Sequence, residues 1–291
     1  MKKALIDRLY DKVAQSGHVC LGLDTDPDYL PARFREGFAS PLEALFAFNR
    51  EIIDATLDVT AVYKVQIAYY EALGLGGLRV YADTLAYLRQ KGAIIIADVK
   101  RGDIAKTAEM YAKAHFTGEF EADFITVNPF MGMDTLSPYF PYLRENDKGL
   151  FALVATSNPG ASDIEGITDA KGVSVSERVG ELLLREGAPF TGQSGYSAIG
   201  AVVGCTNREQ TKRIRERMRD CFFLIPGYGA QGGTAADMAD YLEGGNGGVV
   251  NSSRGILLAW RKGGSDGMDF AAAARAECVR MRDEICAHVG A

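Results

Sequence analysis

Eight short apolar runs, rich in β-branched or aromatic residues, recur along the 291-residue chain and alternate with segments of helical periodicity. They cover 19–24, 59–66, 93–100, 124–128, 150–157, 198–204, 222–227 and 248–252. Runs that are apolar on both sides of the pleat suit parallel strands covered by helices. Helices are predicted near 40–57, 77–91, 103–119, 174–187 and 268–288. An amphipathic first helix, with Leu5, Leu9 and Val13 on one face, precedes them. This alternation, with no break in composition, predicts one (β/α)8 TIM barrel over residues 1–291. A doubly wound open sheet is the alternative. It would have to hold eight strands without a dinucleotide-binding glycine fingerprint. No low-complexity tract, linker or short repeat divides the chain.

In such a barrel the C-terminal strand ends share one face, where active sites sit. Polar residues collect there: Asp24 after the first strand, Lys64 and Gln66 on the second, and Asp98 and Lys100 on the third. Asn128 ends the fourth, Thr156 and Ser157 the fifth, Pro226 and Gly227 follow the seventh, and Arg254 follows the eighth. A single charged strand end is a solvated cap. A ring of them around one mouth marks a site.

The third strand carries the sharpest signal, Ala97-Asp98-Val99-Lys100-Arg101-Gly102-Asp103. Strand alternation points Asp98 and Lys100 to the same side. Asp103 lies past the strand end, where Gly102 lets the chain turn, so a cation is expected between two anions. Flanking carboxylates hold a lysine protonated against desolvation, which makes it a proton donor rather than an amine nucleophile. A salt-bridge cluster capping a strand would use the same residues without doing chemistry. Two glycine-rich pieces, 226–233 and 251–255, follow strands seven and eight, where barrels often hold phosphate. Backbone N–H groups, a helix N-terminus and the forked guanidinium of Arg254 suit that anion.

Composition removes other classes. A formal net charge of -6 disfavours generic binding to nucleic acid or anionic membranes, so a phosphate must be held locally. No apolar run reaches the roughly 18 residues of a membrane span. Charged residues interrupt the N-terminus too early for a signal peptide. The cysteines (Cys20, Cys205, Cys221, Cys278 and Cys286) are odd in number and lack a C-x-x-C pair. They read as buried free thiols of a cytoplasmic protein. His18, His115 and His288 are scattered, which argues against a zinc site.

These motifs together resemble the orotidine 5′-monophosphate decarboxylase family. Its D-x-K-x-x-D motif stands here as Asp98, Lys100 and Asp103, and its upstream lysine as Lys64. Thr107 matches the threonine that follows the motif. Thr156 to Gly160, Pro226 to Gln231 and Asn251 to Arg254 are similar to the longer bacterial subgroup. The matches run from the first strand to the eighth, so the resemblance covers nearly the whole chain. D-x-K-x-x-D alone is shared with sugar-phosphate enzymes, and the later motifs make the likeness specific.

The resemblance implies cofactor-free, metal-free decarboxylation of orotidine 5′-monophosphate (OMP) to uridine 5′-monophosphate (UMP). It implies that Lys100 stabilises and protonates C6, that Asp98 positions Lys100, and that Lys64 bridges Asp98 and the ribose. Asp24 and Gln66 then serve the ribose, and Ser157, with Thr156, reads the pyrimidine. Pro226 belongs to the binding site, and Arg254 and Gln231 take the 5′-phosphate. Asp103 and Thr107 are implied to reach a neighbouring subunit's site, hence a homodimer, and the loops near 158–170 and 228–234 to close on substrate.

Three rivals make different demands. A metal-dependent sugar-phosphate enzyme on this barrel needs an acid near the second strand's end, where Lys64 and Gln66 stand. A Schiff-base aldolase needs a neutral lysine, which flanking aspartates oppose. A non-catalytic nucleotide binder would gain little from turning carboxylates toward an anion.

Overall fold

The computed structural model describes residues 3–204, 208–229, 233–238, 240–264 and 266–289. Its strands are β1 (Val19–Gly22), β2 (Val62–Gln66), β3 (Ile95–Arg101), β4 (Phe124–Val127), β5 (Gly149–Ala155), β6 (Ile199–Val203), β7 (Phe223–Ile225) and β8 (Gly248–Ser252). They close a barrel in sequence order, with β8 returning to β1 and every adjacent pair parallel. The (β/α)8 expectation is therefore met, and the open-sheet alternative falls.

Helices Leu5–Ser16, Pro41–Thr56, Gly74–Gln90, Ala105–Phe116, Val175–Gly187 and Phe270–Val289 lie where the periodicity puts them. Two begin on side-chain caps. The Ser40 hydroxyl accepts the Glu43 amide, and Ser174 and Glu177 form a reciprocal capping box. The connections after β4, β6 and β7 carry shorter helices, Phe140–Glu145, Arg208–Arg217 and Ala235–Met238.

Alternation along the strands divides the core in two. Cys20, Val62, Ile96, Phe124, Phe151, Leu224 and Val249 fill the barrel interior, with the Phe124 and Phe151 rings 5.1 Å apart. Leu5, Ile6, Leu9 and Val13 of the first helix pack against this set. Tyr63, Val65, Ile95, Ala97 and Ile125 point the other way, into the layer under the outer helices. Burying each large apolar side chain contributes about 1.5–3 kcal/mol. The polar residues of the mouth are the upper rungs of the inward rows: Lys64 stands two residues above Val62, and Asp98 two above Ile96.

Cys20, Cys221 and Cys278 are buried free thiols, whereas Cys286 is exposed, contrary to expectation, on the outer side of the last helix. Cys205 lies outside the described residues. Among the described residues no helix is long and apolar enough to cross a membrane, and no group of metal-ligating side chains occurs.

Candidate active site

Asp98 is the centre of the charged mouth. Its Oδ2 accepts Lys64 Nζ at 3.0 Å and Gln66 Nε2 at 2.9 Å. Its Oδ1 accepts Lys100 Nζ at 2.6 Å and the Thr126 hydroxyl at 2.9 Å. Lys64 also reaches Asp24 Oδ1 at 3.0 Å, and Ser253 Oγ donates to Asp24 Oδ2 at 2.8 Å. The result is a continuous chain of alternating charge, Asp24–Lys64–Asp98–Lys100.

Burial grades along that chain. The side chains of Lys64 and Asp98 are 6% and 8% exposed, and that of Lys100 is 47% exposed. Burial alone would lower the Lys64 pKa, but Asp24 and Asp98 outweigh it and shift it upward. Burial alone would raise that of Asp98, but Lys64 and Lys100 overcome it and hold the carboxyl well below the usual range. Lys64 and Asp98 are thus a fixed ion pair, and Lys100 is the cation offered to the cavity.

Lys64, Asp98, Lys100, Thr156, Ser157 and Pro226 line a cavity of about 390 Å³, together with Thr126, Asn158 and Asn251. Arg254 lies apart from it, in an adjoining cleft of about 460 Å³ with Tyr228, Gly229, Ser252 and Gly255. A ligand with an anion at one end and a reacting ring at the other matches this division. The helix that Arg254 opens has only four residues, Arg254–Leu257, so its dipole adds less than the sequence reading supposes. Gln231 lies outside the described residues.

Two expectations around the motif need correction. Lys100 pairs with Asp98 and not with Asp103, whose Oδ1 instead accepts the Ile104 amide at 2.8 Å. Asp103 is half-buried, and Thr107 is exposed on its helix, so neither lines the cavity of its own chain. The turn also begins earlier than Gly102, because Lys100 itself has φ 43°. A side chain in that left-handed region costs about 1–3 kcal/mol and persists only where its surroundings hold it.

Other residues take supporting places. Gln66 supports Asp98, and its Oε1 accepts the Ala68 amide, rather than lining the cavity. The Thr156 amide donates to Glu165 Oε2 at 2.8 Å, and its hydroxyl lies within reach of two acceptors, Glu165 Oε1 at 2.6 Å and Asn158 Oδ1 at 2.7 Å. Ser157 faces the same cavity beside it. Gly204, at the end of β6, allows its approach, since a Cβ there would lie 2.8 Å from that of Ser157. At Gly22 a Cβ would come within 1.9 Å of Ser253 Oγ, the group that holds Asp24.

Sequence reasoning missed Thr126 and Glu165, and it took Asn251 and Ser253 only as part of the motif before Arg254, without the roles seen here. The inward alternation Phe124, Thr126, Asn128 was a usable signal for Thr126. Nothing local marks Glu165.

A closed parallel barrel with this charged chain in its C-terminal mouth defines a (β/α)8 enzyme. The chain belongs to the Orotidine 5′-phosphate decarboxylase / HUMPS family, whose model matches residues 17–262. It is 59% identical over 281 residues to the orotidine 5′-phosphate decarboxylase of Clostridium perfringens (strain SM101 / Type A), covering 97% of this chain and 98% of that one. The Clostridium acetobutylicum protein of the same description matches with equal identity and coverage. Among solved structures, Leishmania donovani OMP decarboxylase is similar at a TM-score of 0.77, with 29% identity and 99% of each chain covered.

Proposed function

We propose that Lys100 stabilises the charge developing at C6 of OMP and then protonates that carbon. The chain catalyses decarboxylation of OMP to UMP and carbon dioxide, in pyrimidine biosynthesis. The C6–carboxylate bond breaks, its electron pair stays on C6, and a proton from Lys100 Nζ takes the vacated place. Solvent then reprotonates the amine. The observation that carries this reading is the cation itself: Lys100 is held on Asp98 and turned into the cavity by a salt bridge of 2.6 Å. A preorganised ammonium at the site of developing charge is an effective form of electrostatic catalysis.

In this reading Asp24 and Lys64 bind the ribose, Ser157 reads the pyrimidine, and Arg254 and Gln231 hold the phosphate. Gln66 acts one step back, on Asp98, and Thr156 lines the cavity beside Ser157. Binding energy gained at the remote phosphate then helps align the charged chain. The protein acts in the cytoplasm, where free thiols such as Cys20 and Cys221 persist. It works as a homodimer in which Asp103 and Thr107 complete the neighbouring site. Their position outside their own cavity supports this, as does the exposure of Ile104, Met110 and Phe130 near them.

Turnover of OMP, followed by ultraviolet absorbance in excess EDTA, tests the function. Conversion supports a metal-independent decarboxylase, and activity only on restored magnesium would refute that. Mixing inactive Lys100→Ala and Asp103→Ala chains tests the shared site. Activity should return in the mixture, and a dead mixture of well-folded chains would refute it.

A further inference from the structure

The charged mouth depends on a residue that carries no charge. Register between β3 and β4 runs Ala97 opposite Ile125 and then Arg101 opposite Val127. Thr126 therefore stands alone against Asp98, Val99 and Lys100. A bulge of this kind leaves backbone groups without their normal ladder partners and re-aims side chains. The Thr126 hydroxyl occupies the gap. Its Oγ1 accepts the amides of Val99 and Lys100, each at 2.9 Å, and donates to Asp98 Oδ1 at 2.9 Å. One donor and two lone pairs are the full capacity of a hydroxyl, and all three are used here on the motif.

We infer that Thr126 is a positioning residue for Lys100, acting on it from two sides. Through the backbone it holds the bulge in which Lys100 takes φ 43°, a conformation that a lysine does not keep unaided. Through Asp98 it fixes the oxygen that receives Lys100 Nζ. The side chain is 1% exposed, so water does not readily replace it in either task. Thr126 forms no part of the charge, and its removal should misplace Lys100 without emptying the cavity. The inference rests on the function proposed above.

Thr126→Val keeps the shape and removes the hydroxyl, whereas Thr126→Ser keeps the hydroxyl and removes the methyl. For OMP turnover, kcat of Thr126→Val should fall on the order of 10²-fold, the scale of a 1 Å misplacement. KM and UMP binding should stay within a few-fold of wild type. Thr126→Ser should restore most of kcat. A Val variant with wild-type kcat, or a Ser variant as slow as Val, would overturn the inference. So would a KM that rises as far as kcat falls, because that would be general damage to the site. If Thr126→Val does not fold, Thr126→Ala serves beside Ser under the same criteria. A wild-type protein without OMP turnover would instead refute the proposed function. The positioning role is then decided by a crystal structure of the variant: it stands if Lys100 leaves its left-handed conformation or its Asp98 contact, and fails if both are kept.

Discussion

Replacing Lys64 with methionine keeps most of the side-chain volume and removes the cation from between two carboxylates. Asp24 Oδ1 and Asp98 Oδ2 each lie 3.0 Å from its Nζ. The two oxygens are thus at most about 6 Å apart, where like charges repel by ~3 kcal/mol at an effective dielectric of ~20. Breaking a buried pair from one side commonly costs about 3–5 kcal/mol. Lys64→Met should therefore destabilise the fold by about 3 kcal/mol near pH 7, read from urea unfolding at fixed protein concentration. The pH dependence is the sharper test. In the wild type Asp98 has a folded pKa below its unfolded value, so its contribution is present at neutral pH and lost only as pH falls through the carboxylate range. Without Lys64, burial and Asp24 are opposed by Lys100, so the folded pKa of Asp98 moves back up toward its unfolded value. The variant then loses less stability than the wild type as Asp98 takes up its proton. The wild-type-minus-variant difference should shrink as pH falls below about 5, while histidine effects common to both cancel. A difference below ~1 kcal/mol, or one that grows on acidification, would refute the account of Lys64 as the clamp between two ionised aspartates.

Lys100→Ala should lose at least ~10⁴-fold in kcat, since in the proposed mechanism it removes both the proton donor and the charge facing C6, while UMP binding by calorimetry stays measurable. Near-wild-type turnover would remove Lys100 from the chemistry. Arg254→Ala should raise KM by about 10- to 10²-fold, the equivalent of one charge-assisted contact, and unchanged kinetics would put the phosphate elsewhere. His115 has its pKa lowered to about 4 by burial and by the neighbouring Arg101, whose Nε donates to its Nε2 at 3.3 Å. A base with a depressed folded pKa stabilises the protein above its unfolded pKa, and that contribution is lost as pH falls from the usual histidine value toward the folded one. His115→Leu should therefore remove about 2 kcal/mol of the stability lost between pH 7 and pH 5. A variant with undiminished acid sensitivity would show that this histidine is not the group responsible.

The barrel was legible because eight strand-like runs alternate with helical segments along the chain. Within a strand the inward row passes from apolar to polar toward its C-terminal end, Val62 to Lys64 and Ile96 to Asp98, and so marks the mouth. The same rule predicted that Asp98 and Lys100 meet, and they do, at 2.6 Å. It could not say where the register breaks. Nothing in Ala97-Asp98-Val99-Lys100 marks a bulge, and the sequence assigns the turn to Gly102, the residue with the freer backbone, when it falls on Lys100. A register break is a property of two strands, so a motif read along one of them leaves out its partner across the sheet. Asp103 fails for a related reason. Its spacing from Lys100 suggests contact, but the bulge and the left-handed lysine carry the chain away before Asp103 is reached. Thr156 and Glu165, nine residues apart across an irregular loop, lie beyond any periodicity. Alternation therefore identifies which residues face the cavity but not what holds them there. Holding depends on hydroxyls and amides such as Thr126, Gln66 and Ser253, whose types are common and whose meaning comes only from the residue opposite.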